Sequence, residues 1–439
     1  MKISFQTDNK QNSDSQLQNL VDEAKIASWL GDVRSNAFDK YSNSTLPTRK
    51  TEHWKYNDMY FLSQSEYQFE ISAPQIVKKT ISPIKHQGTE INIVNGQLIE
   101  DSDSDLDIEI RITPFNQATE SQQKLILENF RSTQQDRNLL INLNTALTNN
   151  GVLIEIAANA NIEQPIYINH ESVADNTACL RTNQTIVHCE KNSHCQIVER
   201  FGDDLASPTA NNSGLILQQT IISLAQNSRC HHHRLNLESP TVSQLSRSVT
   251  RLASNAFYKG FFFSSGSFLN KTDIDILHQG EHSASELAGI YLPSGENCID
   301  YHTNIEHQVA NCTSREVFRG IIADSAKATF NGKIHIFKNA QKTDAQLNNK
   351  NLLLTNTAEV NTKPELEIYA DDVVCAHGAT VAKIDEQAIY YMQTRGINPK
   401  TARRMLSHGF INELLDKIDN DAIKTSISSI VLDALTTNS

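Results

Sequence analysis

The sequence predicts a mainly β protein with helical segments at both ends. Short apolar alternations with period two, separated by Asn, Asp, Gly and Ser, recur from residue 151 to residue 384, and helix patterns are sparse there. Many short strands joined by brief turns are typical of an all-β domain. An antiparallel sandwich and a parallel β-helix both explain the pattern, and because no exact repeat is visible, periodicity does not choose between them.

Helical patterns flank this β region. Apolar residues recur at helical spacing from Leu17 to Val33, and a second helix is predicted from about Asp136 to Leu147. Asn398 followed by Pro399 is typical of a helix start, since Asn caps and Pro suits the first helical position. We therefore predict three parts: a helical or mixed N-terminal region (1–150), a β core (151–384) and a C-terminal helical domain (385–439).

Composition and charge exclude several classes of protein. The net charge of −12 argues against a binder of nucleic acid or of an anionic membrane, which needs clustered positive charge. The N-terminus lacks the apolar stretch of a signal peptide, and no segment approaches the ~20 apolar residues of a membrane span. Seven cysteines without regular spacing do not form a disulfide framework. We predict a reduced, cytoplasmic protein with free thiols.

Cys375 and His377 are the first candidates for chemistry. Being two residues apart on a strand, they project from the same face. A thiolate beside an imidazole suits iron or zinc, or a nucleophile–base pair, although this spacing alone more often marks a buried cysteine beside a satisfied histidine. In residues 373–382 the odd-numbered and the even-numbered positions both carry mainly apolar or small side chains, which predicts a strand covered on both faces. One cover is the protein's own core, and the other is the C-terminal helices or a partner subunit.

Other His and Cys residues favour a structural interpretation. His188-Cys189 and His194-Cys195 repeat a dipeptide, and residues 230–233 read Cys-His-His-His. Neither set has the spacing of a ferredoxin-type cluster site, and adjacent residues on a strand point to opposite faces. The group formed by Tyr301, His302, His307 and Cys312 is interpreted in the same way.

No familiar catalytic motif occurs in the chain: GxSxG, HExxH, a Walker A loop and GxGxxG after a strand are all absent. The C-terminal helical segments carry Arg395, Arg403, Arg404 and His408 among apolar positions. These charges belong either to ordinary solvated helices, which the residues alone favour, or to a docking surface that presents Arg beside an apolar stripe.

Four separated segments resemble the SufB/SufD family of iron–sulfur cluster assembly scaffolds. They are PTRKTEHWKYNDM (47–59), GVLIEIAANANIEQPIYI (151–168), YADDVVCAHGATVAKID (369–385) and RGINPKTARRMLSHGF (395–410). Gly378 follows the histidine where the B-type members typically have an acidic residue, so the chain is more similar to the D branch. Asn57 stands where the family often has Thr.

The resemblance implies a right-handed parallel β-helix core flanked by helical domains. It also implies a complex with a SufB-type paralogue and two copies of a SufC-type ABC ATPase, in which the scaffold builds a nascent iron–sulfur cluster and passes it on. The chain would then be an assembly subunit rather than an enzyme. ATP-driven closure of the ATPase would move the C-terminal helices and open the interface between the two paralogues.

By the same resemblance, His377 contributes to cluster assembly at that interface as a transient metal ligand shared with the partner, and Cys375 is the second choice. The residues implied in ATPase docking are Arg395, Gly396, Arg403, Leu406 and Phe410. The isolated chain would hold no stable cofactor; the resemblance admits a reduced flavin on the assembled complex and a homodimer in isolation. Two other classes stay open: a stand-alone β-helix enzyme and a metal-storage or zinc protein.

Overall fold

A computed structural model describes residues 2–5, 14–15, 17–19, 21, 28–57, 59–63, 66–69, 88–99, 109–132, 139–148, 151–171, 178–202 and 214–437. Helices within these ranges are α1 (Gly31–Ser42), α2 (Tyr60–Ser63), α3 (Glu120–Ser132), α4 (Leu139–Ala146), α5 (Glu386–Thr394), α6 (Pro399–Leu415) and α7 (Asp421–Thr437), with 3-10 turns at Ser28–Leu30, Glu52–Trp54 and Phe115–Gln117. None of these helices combines the length and apolar character that a membrane span requires.

The strands are β1 (Lys2–Ser4), β2 (Glu66–Gln68), β3 (Thr89–Val94), β4 (Gln97–Ile99), β5 (Ile110–Pro114), β6 (Val152–Ile156), β7 (Ile166–Glu171), β8 (Cys179–Cys189), β9 (His194–Phe201), β10 (Gly214–Leu224), β11 (Arg229–Asn236), β12 (Val242–Leu252), β13 (Phe257–Ser264), β14 (Leu269–His278), β15 (Ala284–Tyr291), β16 (Cys298–His307), β17 (Thr313–Ile322), β18 (Lys327–Ile336), β19 (Asp344–Leu353), β20 (Glu359–Ile368) and β21 (Val374–Lys383).

These strands wind into a parallel β-helix of about seven turns, which confirms the predicted fold class. Each turn contributes one strand to each of two sheets. Sheet A runs β8-β10-β12-β14-β16-β18-β20, and sheet B runs β7-β9-β11-β13-β15-β17-β19-β21, all in parallel register. Further strands extend both sheets at the N-terminal end: β1, β2, β5 and β6 join sheet A, and β3 and β4 join sheet B. All of these except β6 come from before residue 151.

Strand alternation builds the core of the β-helix. Successive side chains of a strand point to opposite faces, so every second side chain points into the β-helix. Because the parallel strands are in register, aligned interior side chains of successive turns stack in a column. Ile276, Ile305 and Ile334 form such a column on sheet A, and each is fully buried. The aromatic run Phe261 to Phe263 follows the same alternation: Phe262 enters the interior and Phe263 packs on the outer face of sheet B.

One corner of the β-helix is a column of residues in the left-handed conformation, which Asn tolerates better than most residues. Five of them, all asparagines, donate their backbone N–H to the carbonyl of the residue that precedes the corner residue of the next turn. Asn192 and Asn227 also pair their side-chain amides with the preceding corner residue, over 2.8 and 2.9 Å. This corner column consists of Asn159, Asn192, Asn227, Asn255, His282, Asn311 and Lys342.

The interior also contains a fully buried ion pair. Glu199 accepts hydrogen bonds from Arg234 and Thr220, each over 2.8 Å, and lies beside His170 and His232. Burial alone would raise the pKa of Glu199, but Arg234 and the two histidines outweigh it and hold that pKa well below its usual range. The network is therefore a charged element that the solenoid must keep intact.

The N-terminal region covers the outer face of sheet A. Helices α1 and α4 pack together, and their Phe38 and Leu143 belong to one buried apolar cluster with Leu217 and Leu245 of the sheet. The predicted helix over 136–147 is observed as α4, whereas residues 136–138 lie outside the described residues.

The C-terminal helices cover part of the outer face of sheet B. The side chain of Asp385 caps α5, and that of Asn398 caps α6 with Pro399 at its first position, each cap accepting a backbone N–H over 2.8 Å. Gly396, with φ of +84°, follows the end of α5. The apolar faces of α6 and α7 pack in one cluster with β13, β15 and β17.

Candidate functional site

The predicted pair lies on β21, the last strand of sheet B, which pairs with β19 on one side only. Cys375 is in register with Ala345 and His377 with Leu347, and both β19 residues are buried in the core. Aligned residues of a parallel ladder project to the same side. Cys375 and His377 therefore share a face, as predicted, and they extend two interior columns beyond the last complete turn.

The two side chains differ in exposure. Cys375 is half-buried and packs against the core cluster, while His377 is exposed. Burial raises the pKa of the Cys375 thiol above its ordinary value, so this thiol is protonated at neutral pH. A metal ion that displaced the proton could bind it, because thiolates and imidazoles are both metal ligands.

The facing strand, β20, leaves the same end of the core uncovered. Its interior positions align with buried residues of β18 but are themselves partly buried or, at Ile368, exposed, because no further turn follows. Val360 and Leu366 still pack against the core cluster. The end of the β-helix is thus an apolar cross-section with a thiol and an imidazole on one side. We call it the open end; its β20 residues are Val360, Thr362, Pro364, Leu366 and Ile368.

The open end has two unpaired strand edges of different character. On β21 the N–H of Val374 donates to Thr343 of the preceding turn, so by alternation the N–H groups of residues 375, 377, 379, 381 and 383 point to the free edge. On β20 the same reasoning directs the even-numbered residues outward, and Pro364 is one of them. Proline has no N–H and is typical of protected edges. Only the β21 edge therefore offers an unbroken row of donors among the described residues.

The expected cover of β21 is not provided by the C-terminal helices. Val374 and Val381 are 65% and 48% exposed. The helices contact β15 and β17 instead, so the prediction of a strand covered on both faces is wrong for the isolated chain. The alternative cover considered from the sequence, a partner subunit, is the one that the exposed apolar residues of this strand suit.

The C-terminal helices are fastened to sheet B by Arg319 of β17. Its guanidinium donates to the backbone carbonyl of Phe410 and to the carboxylate of Glu413, and it lies 5.5 Å from the centre of the Phe410 ring. Arg319 is itself buried. Phe410 and Leu406 are partly buried in the same helix–sheet contact, so these two predicted docking residues largely serve packing within the chain.

The other predicted docking residues lie closer to solvent. Arg395 is exposed and donates to the hydroxyl of Tyr391 over 3.0 Å, and Arg403 pairs with Glu386 over 2.8 Å. Gly396 separates α5 from α6. Three exposed apolar residues on the same two helices were missed because they belong to amphipathic helix patterns: Tyr390, Tyr391 and Met405 are 69%, 59% and 50% exposed.

The cysteines of the mid-chain tracts come together in a way that their spacing hid. Cys189, Cys195 and Cys230 are fully buried, and their three sulfur atoms lie within 4.8 Å of one another. The neighbouring histidines alternate outward: His194 and His231 face each other on the outer side with ring centres 5.6 Å apart. As the sequence predicted, the adjacent His and Cys of each dipeptide point to opposite faces. The three cysteines nevertheless meet, because they come from different strands.

A second buried group consists of His278, His307 and Cys312. Both ring nitrogens of His278 are hydrogen-bonded to serine hydroxyls, and Nε2 of His307 pairs with Ser314 over 2.9 Å. The two imidazoles stack with centroids 4.4 Å apart. Burial lowers the pKa of His307 to about 4, so it is neutral. Of the set named from the sequence, the structure brings together His307 and Cys312, and His278 joins them in place of Tyr301 and His302.

A groove of about 770 Å³ lies between the N-terminal region and the outer face of sheet A. Its lining carries charges of both signs, and they are largely paired: Arg247 with Asp275 over 2.8 Å, and Lys271 with Asp273 over 3.3 Å. Trp54, which is buried, lies 5.0 Å from the Lys271 ammonium. The lining of this groove therefore does not present charges of one sign to a ligand.

The fold and the site define a class of protein: a parallel β-helix whose helical flanks leave one end open, with a thiol and an imidazole at that end. Comparison with protein-family models identifies the class. The SUF system FeS cluster assembly, SufBD core domain model matches residues 170–410, and the SufBD protein N-terminal region model matches residues 15–168. The chain belongs to this family, and its role is in iron–sulfur cluster assembly.

Curated relatives agree with this assignment. An iron–sulfur cluster assembly SufBD family protein of Synechocystis sp. is 26% identical over 420 residues, covering 92% of each chain. The iron–sulfur cluster assembly protein SufD of Escherichia coli is 28% identical over 392 residues, covering 87% of this chain and 88% of the relative. SufD of Bacillus subtilis is 22% identical over 298 residues, covering 67% of each.

Proposed function

We propose that this chain is the D-type scaffold subunit of a SufBCD-type complex, and that its open end pairs with a SufB-type paralogue around a nascent iron–sulfur cluster. The observation that carries the proposal is the open end itself. A completed β-helix would cover its last turn, whereas here apolar residues and an unbroken edge are left for a second chain. Family membership supplies the cluster-assembly context.

In this proposal the cluster is cargo, and His377 supplies one ligand to it. The imidazole is exposed at the edge where the partner would lie, while Cys375 is half-buried and must lose a proton of raised pKa before it can bind iron. Two side chains cannot satisfy a cluster, so the remaining ligands come from the partner. The isolated chain should accordingly bind iron weakly.

The C-terminal helices are proposed to dock a SufC-type ABC ATPase. The exposed residues Tyr390, Tyr391 and Met405 of these helices, with Arg395 bonded to Tyr391, have the aromatic, Met and Arg composition favoured at interfaces. Arg319 fastens α6 to β17, which is paired through β19 to β21. A movement of the docked helices driven by ATP would therefore act on the sheet that carries His377.

The test is cluster assembly by the complex co-expressed with its SufB-type and SufC-type partners under anaerobic conditions. His377→Ala should leave assembly of the complex intact and abolish bound iron and sulfide. His188→Ala, on the outer face of sheet A far from the open end, is the matched control and should retain both. A His377→Ala complex that carries the full cluster content would contradict the proposed ligand role. Failure of that variant to assemble would instead make His377 an interface residue only.

A further inference from the structure

The three-thiol cluster lies inside the β-helix, away from the open end. Cys195 of β9 and Cys230 of β11 are in register on neighbouring turns of sheet B. Cys189 ends β8 of sheet A, and the chain then passes the corner at Asn192, so all three thiols meet in the interior beside that corner. The Cys189 and Cys195 sulfur atoms are 3.6 Å apart. Three strands thus deliver three sulfur atoms to one buried point.

We propose that Cys189, Cys195 and Cys230 form a binding site for a single thiophilic metal ion, Cu(I). Metal–thiolate bonds of about 2.3 Å place the sulfurs of a three-coordinate ion about 4 Å apart. The three sulfur atoms all lie within 4.8 Å of one another and one pair is 3.6 Å apart, which is compatible with that separation. The site is independent of the cluster-assembly role proposed above.

The number and type of donors select the ion. Among the described residues, these three sulfurs are grouped without a fourth His, Cys, Asp or Glu donor. Structural zinc takes four ligands, whereas soft sulfur ligands favour Cu(I). The three cysteines belong to the apolar core of the β-helix together with Val187, Ile197 and Ala256. The hydroxyl of the neighbouring Ser193 donates to the backbone carbonyl of Glu190 over 2.6 Å.

The experiment is a competition titration of the full-length reduced chain under anaerobic conditions, with Cu(I) presented by bathocuproine disulfonate. We expect one tightly held Cu(I) per chain, taken up slowly because no thiol of the site is exposed. Cys195→Ala should weaken that binding by at least about 100-fold, since even outer-shell changes cost 10–100-fold. Cys179→Ala, on β8 but outside the cluster, is the control and should bind as the unaltered chain does.

X-ray absorption on the unaltered copper-loaded chain decides the matter even where a variant fails to fold. Three sulfur neighbours at one distance support the site. A two-sulfur shell, an equal loss of affinity in Cys179→Ala, or no difference between the unaltered chain and a folded Cys195→Ala would each overturn it.

Discussion

The edge of β21 permits a sharp test of how the open end is used. Ala379→Pro removes one of the five outward N–H groups of β21, at residues 375, 377, 379, 381 and 383, without removing a hydrogen bond to β19. Pro364 of β20 has the same outward parity, which shows that a terminal strand of this β-helix accepts proline there. The substitution should therefore disturb a partner strand and leave the chain folded.

The expected magnitude follows from the hydrogen bonds at the edge. Each backbone hydrogen bond contributes about 0.5–1.5 kcal/mol net, and an acceptor left buried without its donor costs about 1–3 kcal/mol more. Loss of the bond at residue 379 and the bond next to it gives about 2–4 kcal/mol. This corresponds to a dissociation constant raised by about 30- to 700-fold.

The assay is the dissociation constant of the chain for its purified SufB-type paralogue, measured by sedimentation and accompanied by thermal melting of the chain alone. Ala376→Pro is the matched control, because residue 376 is also an exposed alanine but directs its N–H to β19. It should lower the melting temperature of the isolated chain, whereas Ala379→Pro should lower only the affinity. Unchanged affinity in a folded Ala379→Pro chain would refute the pairing of this edge.

Three further predictions concern stability. Arg234→Met leaves the buried Glu199 carboxylate uncompensated and should lower the free energy of unfolding, measured by urea titration, by about 3–5 kcal/mol. Arg229 is exposed on the same strand, so Arg229→Met should change this free energy little. Equal effects of the two substitutions would contradict the role of the ion pair. The pKa of His307 is lowered to about 4 in the folded chain, so the unfolded chain binds a proton at higher pH than the folded chain does. The free energy of unfolding should therefore fall by about 3 kcal/mol between pH 6.5 and pH 4. In thermal melts across that range, His307→Gln should reduce this dependence on pH. Burial raises the pKa of Glu316 to about 8, so this carboxyl ionises at lower pH in the unfolded chain and stability falls as pH rises from about 4 to 8. Glu316→Gln should stabilise the chain by up to about 4 kcal/mol at pH 8 and not at pH 4. Equal stability of the two chains at pH 8 would contradict a buried neutral carboxyl.

The sequence predicted the strands and helices through local patterns, and the resemblance chose the β-helix. The repeat was hidden because its corner positions are spaced unevenly and because His282 and Lys342 replace asparagine in two turns. A weaker signal was present nonetheless. Each corner residue is followed by a small buried residue, and a search for Asn before Ala, Ser or Cys would have found most of them: Ala160, Ser193, Ser228, Ala256, Ser283, Cys312 and Thr343.

The candidate sites differ in how far sequence reasoning could reach them. Cys375 and His377 are two residues apart, so strand geometry alone placed them on one face. Cys195 and Cys230 meet only because their turns are in register, and Cys189 joins them across a corner. Such contacts depend on the length of each turn, which no local pattern specifies. The exposure of β21 could not be foreseen either, since apolar residues at a chain's own core and at a partner's surface look alike.

The corner column makes the β-helix adjustable in whole turns. Deletion of residues 283–311 would join His282 to Cys312 and remove one 29-residue turn while keeping every interior parity, since the strands on either side are in register at that spacing. Deletion of a single residue would instead turn the following strand inside out. Each whole turn changes the length of the β-helix by one strand spacing of about 4.8 Å. The number of turns therefore determines the distance between the open end and the N-terminal end of the β-helix.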